Sequence, residues 1–146
     1  MKRCMKPNEK IYVKSFPGAK ITDMKDHAKP SQRYNPDVFI LHTGTNDLRT
    51  IKSAEEISDE IIKLALELKT DENEVIVSSI IGRHDEHNQK GMKVNDLLKI
   101  KSTRYSLGFM NNSNILINKH LNGSGLHLNY YGNIALANNF LKVINV

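Results

Sequence analysis

Four short segments of apolar, aromatic and β-branched residues predict the strands of a sheet. They cover residues 10–16, 36–43, 73–81 and about 106–111. The second and third are nearly continuous apolar runs, which is typical of strands buried on both faces of a parallel sheet. The first is closed by Pro17-Gly18, a pair that indicates a turn after the strand.

Helical periodicity fills the intervals between these strands. Ser53 and Glu56 form a capping-box sequence ahead of a regularly spaced apolar stripe, which predicts a helix over about 53–69. Similar patterns predict helices at about 20–29, 88–104 and 130–144. The resulting order β-α-β-α-β-α-β-α implies right-handed crossovers and a three-layer α/β/α fold with a parallel sheet. In such folds the chemistry lies at the carboxyl ends of the strands.

Composition bounds the size, the location and the partners of the chain. The 146 residues, 39% of them apolar, suit one domain with a single core. No window approaches the roughly 18 apolar residues of a membrane span and the start lacks a secretory stretch, so we expect a cytoplasmic protein without a membrane partner. Cys4 is the only cysteine and decides little about the compartment. The net charge of +5 is spread along the sequence, which makes nucleic-acid binding a minority reading.

Polar, glycine-containing segments fall at the predicted carboxyl ends of strands or just before the last helix. They are Ser15-Phe16-Pro17-Gly18, Gly44-Thr45-Asn46-Asp47 and Ser124-Gly125-Leu126-His127-Leu128-Asn129. If the fold is correct, these segments approach one another. A glycine N–H, an asparagine amide and a histidine in one cleft would supply two oxyanion donors and a general base. What this set lacks is a nucleophile.

Each of these residues also has a purely structural interpretation. A glycine such as Gly18 is more often a turn residue than an oxyanion donor. Asn46 and Asp47 could form an Asx-turn that caps a loop. A lone histidine such as His127 is more often an ordinary surface or core residue. Their joint occurrence in this order is what favours a shared site.

Other candidate chemistry is weaker. The run His84-Asp85-Glu86-His87 lacks helical spacing and a clear third ligand, so we expect no metal site. Ser15 is near Gly18, but nothing fixes it against a base, and Cys4 could react only if the N-terminus folds over the cleft. Neither a Gly-x-Gly-x-x-Gly motif nor a P-loop is present, and no cofactor is expected.

The polar segments resemble the motifs of the SGNH hydrolases, the GDSL-like serine esterases. Gly44-Thr45-Asn46-Asp47 matches that family's Gly-x-Asn-Asp block, and Gly18 stands where its single-glycine block follows the second strand. The segment 125–129 looks like its final histidine block, and the order agrees across residues 10–144. The sequence is also similar to truncated or degenerate SGNH-like reading frames associated with retroelements in animals.

This resemblance implies a flavodoxin-like fold and hydrolysis of a small-molecule ester. It assigns Gly18 and Asn46 to the oxyanion hole and His127 to the general base. The family's Gly-Asp-Ser nucleophile motif is absent, and the nine residues before Lys10 cannot hold its strand, so we expect an N-terminal remnant at 1–9 and an SGNH-like domain at 10–146. Ser124 occupies the position of the family's acid, and a hydroxyl cannot supply the negative charge that stabilises an imidazolium. The chain is therefore expected to be an inactive esterase or, alternatively, a non-catalytic binding or assembly module.

The family's strand order, 2-1-3-4-5, adds an expectation about the sheet. The missing first strand would lie between the strands predicted at 10–16 and 36–43. Strand 10–16 could then pair directly with 36–43 or detach, or two copies could pair through the open edges. We expect a marginal fold or self-association.

Overall fold

A parallel three-stranded sheet organises the protein. In the computed structural model, which describes residues 11–144, the strands are β1 (Val38–Leu41), β2 (Glu74–Ser78) and β3 (Gly108–Met110), in the order β1-β2-β3. The register places Val38 opposite Glu74, and Ile76 opposite Gly108. Every connection between parallel neighbours passes through a helix, as parallel pairing requires.

Within residues 11–144, five α-helices accompany the sheet. They are α1 (Ile21–Ala28), α2 (Ala54–Leu68), α3 (Asn88–Arg104), α4 (Ile117–His120) and α5 (Tyr130–Ile144), with 3-10 turns at Lys29–Tyr34 and Thr45–Arg49. The capping box that begins α2 is formed as predicted, because Ser53 Oγ accepts from the Glu56 N–H at 3.1 Å. Between residues 11 and 144, no helix combines the length and the apolar character that crossing a membrane requires.

Two apolar clusters cover the two faces of the sheet. Leu41, Val75 and Val77 belong to the cluster that contains the buried residues of α1, α2 and α3. Ile76 and Met110 belong to the other cluster, which contains the buried residues of α5. Strand side chains alternate between the clusters because successive residues point to opposite faces. The predicted α/β fold, a parallel sheet with helices on both faces, is confirmed.

Most of the predicted elements are found near their expected positions. The helix expected at 88–104 is α3, the helices expected at 20–29, 53–69 and 130–144 are α1, α2 and α5, and the strands at 36–43, 73–81 and 106–111 are shorter than expected. The 3-10 turns and α4 were not predicted. These segments are too short to show a helical period.

The strand predicted at 10–16 is wrong. Residues 11–16 have no ladder partner, although burial alternates over residues 11–14 as it would in a strand. Ile11 and Val13 pack into the α5-side cluster, whereas the Tyr12 ring stacks on Tyr34 at 4.5 Å and Phe16 stacks on His27 at 4.3 Å. The alternating pattern therefore determined which side chains are buried, but a strand also needs a neighbour to accept and donate its backbone hydrogen bonds.

The outer edge of β1 is open within the described residues. Three of its four residues are only partly buried, whereas four of the five residues of β2 are buried. Segment 11–16 neither pairs with this edge nor detaches, since its inward side chains stay in the apolar cluster. The predicted remnant at 1–9 and Cys4 lie outside the described residues, and the proposed division into remnant and domain stays a prediction.

Candidate functional site

The loop that follows β1 is built around a glycine. We call residues 44–50 the Gly44 loop. Gly44 has a φ of +116°, and a Cβ at this position would lie 2.9 Å from Ile61 Cδ1 and 3.0 Å from Ile80 Cδ1. Only glycine adopts this backbone without strain and leaves that space free. The turn Thr45–Arg49 follows immediately and places Asn46 and Asp47 at the carboxyl end of the sheet.

Asn46 and Asp47 hold the segment that follows Gly18. Asn46 Nδ2 donates to the Ala19 carbonyl at 2.8 Å, and the buried Asp47 carboxylate accepts from the Ile21 N–H at 3.2 and 3.4 Å. Asn46 is therefore bonded to the residue that follows Gly18, whose φ is +78°. Burial raises the pKa of Asp47, although the hydrogen bond from Ile21 and the charge of Lys52 oppose the rise.

The loop that carries His127 is held by its own backbone. We call residues 121–129 the His127 loop. The Asn122 N–H donates to the His127 carbonyl at 2.8 Å, and the Gly125 N–H donates to the Asn122 carbonyl at 2.9 Å. Asn129 Oδ1 accepts from the Gly132 N–H at 2.9 Å and so caps α5. The His127 side chain is exposed and has no hydrogen-bond partner among the described residues.

Ser124 uses its hydroxyl inside the same turn. Ser124 Oγ donates to Asn122 Oδ1 and accepts from the Leu126 N–H at 3.2 Å. The hydroxyl is therefore not bonded to the His127 imidazole in this arrangement. A role for Ser124 in orienting His127 stays a prediction.

The loop between β2 and α3 connects the other two loops. Arg83 is 5% exposed, and its Nη1 donates to the Thr45 carbonyl at 2.8 Å. The next residue, His84, donates its N–H to the Gly125 carbonyl at 2.9 Å. Gly125 has a φ of +70°, and a Cβ on it would lie 2.7 Å from His84 Cβ, so this close approach also requires glycine. Sequence reasoning missed Arg83, because a single cation in a loop has no periodic signal.

A row of polar side chains links the carboxyl ends of all three strands. The His42 Nδ1 lies 2.8 Å from Ser78 Oγ, and Asn112 Nδ2 donates to the same hydroxyl at 2.8 Å. Because Ser78 has no other acceptor in residues 11–144, its hydrogen points to His42, whose own hydrogen is then on Nε2. Desolvation by the surrounding protein lowers the pKa of His42 to about 4, while the residue keeps exposed surface on its outer side. The row continues from Asn112 to Asn139.

An open recess lies beside the β2–α3 loop. It has a volume of about 590 Å³ and is lined by residues 83–86, the first turn of α3 and Ile117. The Asp85 carboxylate is paired with Arg83, which holds the pKa of Asp85 below its usual value. Within residues 11–144 no group of three or more histidine, cysteine or acidic side chains is placed to hold a metal ion.

The structure thus brings some of the predicted site segments into contact, but not all of the predicted site residues. Asn46 bonds to Ala19, the residue after Gly18, and the β2–α3 loop contacts both the Gly44 loop and the His127 loop. No hydrogen bond among the described residues joins His127 to Asn46 or to Ser124. The roles assigned to Gly18, Asn46, His127 and Ser124 stay predictions.

Comparison with solved structures identifies the fold. The chain superposes on a GDSL-like lipase from Bacteroides thetaiotaomicron with a TM-score of 0.77 and 15% identity, over 88% of this chain and 72% of that one. It matches a lipolytic protein of the G-D-S-L family from Veillonella parvula with a TM-score of 0.73 and 18% identity, over 88% and 76% of the two chains. The M. smegmatis aryl esterase matches with a TM-score of 0.71 and 14% identity, over 86% and 66%.

No protein-family model matches the chain, and no curated protein matches it in sequence. The structural likeness alone shows that the chain has the fold of GDSL-like lipases and acylhydrolases. The fold implied by the resemblance of its motifs to the SGNH hydrolases is therefore confirmed. The similarity to retroelement-associated reading frames stays a prediction.

Proposed function

We propose that this chain is an SGNH-type ester-hydrolase domain that carries the oxyanion and base side of a site and has no turnover by itself. The observation that carries the proposal is the hydrogen bond from Asn46 to the carbonyl of Ala19, the residue that follows Gly18, at the end of a sheet with the fold of GDSL-like lipases. The 146-residue sequence contains no Gly-Asp-Ser motif. A nucleophile would therefore have to come from outside these residues.

The geometry of Asn46 is compatible with an oxyanion role. An amide nitrogen has two hydrogens, and Asn46 Nδ2 uses one of them in its bond to the Ala19 carbonyl. The second is available for a developing negative charge, and the exposed Gly18 N–H would be the other donor. His127 would accept the proton of the attacking hydroxyl and return it to the leaving alcohol.

The substrate that we propose is a carboxylic ester. The solved neighbours include a GDSL-like lipase, an acetyl-xylooligosaccharide esterase from Geobacillus and an aryl esterase, and these names support an ester without specifying which one. A small-molecule ester in the cytoplasm, with no membrane partner and with nucleic-acid binding only a minor alternative, remains our expectation.

The test of the proposal uses a fluorophosphonate probe and an activated acetyl ester. We expect no covalent labelling of the chain and no hydrolysis above that of buffer, because loss of a triad serine typically removes about six orders of magnitude in rate. His127→Ala should behave like the parent chain. Stoichiometric labelling of a serine that His127→Ala abolishes would contradict the proposal.

A second candidate function is a non-catalytic binding or assembly module. It is favoured by Ser124, whose hydroxyl is bonded to Asn122 and which replaces the carboxylate of an active triad. The open edge of β1 would be its contact surface, because an apolar strand with unpaired backbone groups can pair with another strand.

Analytical ultracentrifugation would test this second candidate. We expect self-association that rises with protein concentration, because the unpaired backbone groups of the β1 edge can pair with a strand of a second copy. Lys63→Glu, on the exposed side of α2, should leave this association unchanged. A parent chain that stays monomeric at high concentration would contradict pairing through this edge.

A further inference from the structure

The β2–α3 loop contacts both halves of the candidate site through adjacent residues. The Arg83 side chain donates to the Thr45 carbonyl at 2.8 Å and to Thr45 Oγ1 at 3.2 Å. The backbone N–H of His84 donates to the Gly125 carbonyl at 2.9 Å. The residue that holds the Gly44 loop, Arg83, is therefore directly followed by the residue that holds the His127 loop, His84.

Arg83 is itself fixed from both ends. Its Nε and Nη2 donate to the Asp85 carboxylate at 3.1, 3.2 and 2.7 Å, and its own N–H donates to Asn88 Oδ1 at 2.9 Å. Asp85 in turn accepts from the His87 N–H at 3.0 Å. The planar guanidinium makes these bonds in several directions at once, which the single ammonium of a lysine cannot reproduce.

We propose that Arg83 is a positioning residue that sets the Gly44 loop against the His127 loop, so that the environments of Asn46 and His127 depend on its guanidinium. The catalytic meaning of the inference rests on the proposed function, which assigns Asn46 to oxyanion binding and His127 to base chemistry. The positions of both would then depend on the Arg83 side chain. The coupling itself is a property of the folded chain.

Lys90 provides a matched control for Arg83. Its Nζ donates to the Thr50 carbonyl at 2.9 Å and the Leu48 carbonyl at 3.3 Å, which belong to the far end of the same Gly44 loop. Lys90 lies in α3 and has no hydrogen bond to the His127 loop in the part of the chain that the structure describes. A variant of Lys90 therefore removes a cation from the Gly44 loop without touching the proposed coupling.

The experiment compares Arg83→Lys, Arg83→Met and Lys90→Met with the parent chain by NMR. The readouts are amide hydrogen exchange at Asp47 and Gly125, whose N–H groups bond to the Gly44 and Asn122 carbonyls, with Val77 of β2 as the internal reference. Both Arg83 variants should speed exchange at Asp47 and Gly125 about tenfold relative to Val77. The side-chain signals of Asn46 and His127 should shift together in both.

Lys90→Met should leave Gly125 and His127 at their parent values. The coupling is overturned if the Arg83 variants change Asp47 but leave Gly125 and His127 unchanged, or if exchange at Val77 rises as much as at the loops. The proposal would also be overturned if Arg83→Lys gave the same exchange rates and side-chain signals as the parent, because a positive charge without a guanidinium would then hold the loops. Arg83→Lys keeps the test decisive if Arg83→Met fails to fold. Because no substrate is used, failure here is distinct from failure of the proposed ester hydrolysis.

Discussion

Removing the Asn112 side chain should destabilise the fold far more than its size suggests. Asn112 is 3% exposed and joins the end of β3 to β2 and α5. Its Nδ2 donates to Ser78 Oγ and to the Ser79 carbonyl, both at 2.8 Å, and its Oδ1 accepts from Asn139 Nδ2 at 2.9 Å. The substitution Asn112→Ala removes all three bonds at once.

The magnitude follows from the burial of the partners. Ser78, Ser79 and Asn139 are 1%, 3% and 7% exposed, so water does not readily replace the lost partner. Each bond contributes about 1 kcal/mol, and a buried group left unsatisfied costs about 1–3 kcal/mol. We therefore expect Asn112→Ala to lower the free energy of unfolding by about 3–5 kcal/mol, a large part of the roughly 5–15 kcal/mol typical of a domain.

Asn114→Ala is the control, and urea denaturation is the assay. Asn114 also bonds to Asn139, at 2.8 and 3.0 Å, but the Asn114 side chain is exposed. Water can therefore occupy the place of that side chain and bond to Asn139, so the free energy of unfolding should fall by less than about 1 kcal/mol. Both variants should keep the parent's m-value. If Asn112→Ala costs no more than Asn114→Ala, the polar row does not stabilise the sheet as described.

Three further changes test individual sites by the same assay. Gly44→Ala should lower the free energy of unfolding by about 2–4 kcal/mol, because Gly44 has a positive φ and a Cβ there would touch the core. Gly123→Ala, at a position with open space around it, should change the free energy of unfolding by no more than about 0.5 kcal/mol. Equal losses in the two variants would contradict the argument. Burial raises the folded-state pKa of Asp47, so the stability contributed by this group is present below the unfolded pKa and is lost as the pH rises through the folded value. Asp47→Asn should therefore gain stability relative to the parent as the pH rises above the usual carboxyl range, and a difference that does not change with pH would refute this. Desolvation lowers the pKa of Lys101, but its hydrogen bonds to Asp59 and Glu55 outweigh this effect and the net shift is upward. Because these carboxylates are exposed, Lys101→Met should change the free energy of unfolding by less than about 1 kcal/mol. A loss of about 3 kcal/mol would contradict this expectation.

Helix α3 shows why periodic elements could be predicted from the sequence. Val94, Leu97, Leu98 and Lys101 repeat at helical spacing over residues 94–101, and the observed bounds agree with those expected. The segment at 11–16 shows the limit of the same reasoning. Alternation indicates which side chains are buried, but whether a segment is a strand depends on a neighbour that its own sequence does not specify.

Within the candidate site, the residues that the sequence could indicate were those in a recognisable glycine- and asparagine-containing motif. The Gly-Thr-Asn-Asp block pointed to Asn46, which bonds to Ala19, the residue after Gly18, and the roles assigned to Asn46 and Gly18 stay predictions. Arg83 and Asn112 could not be found in this way, since their partners lie 38 and 34 residues away in sequence. Single polar residues with distant partners carry no local pattern, so only the folded chain shows them.

The contacts that hold the loops of the candidate site do not involve the missing nucleophile. Arg83 holds Thr45, His84 holds Gly125, and Asn112 joins the strand ends through Ser78, all within the described residues. The same contacts would serve a hydrolase and a binding module alike. Stability measurements therefore cannot separate a hydrolase domain from a binding module built on the same fold. The separation depends on chemistry, because only a hydrolase needs Asn46 and His127 to act on one bound ester, whereas a binding module needs only the surface of β1.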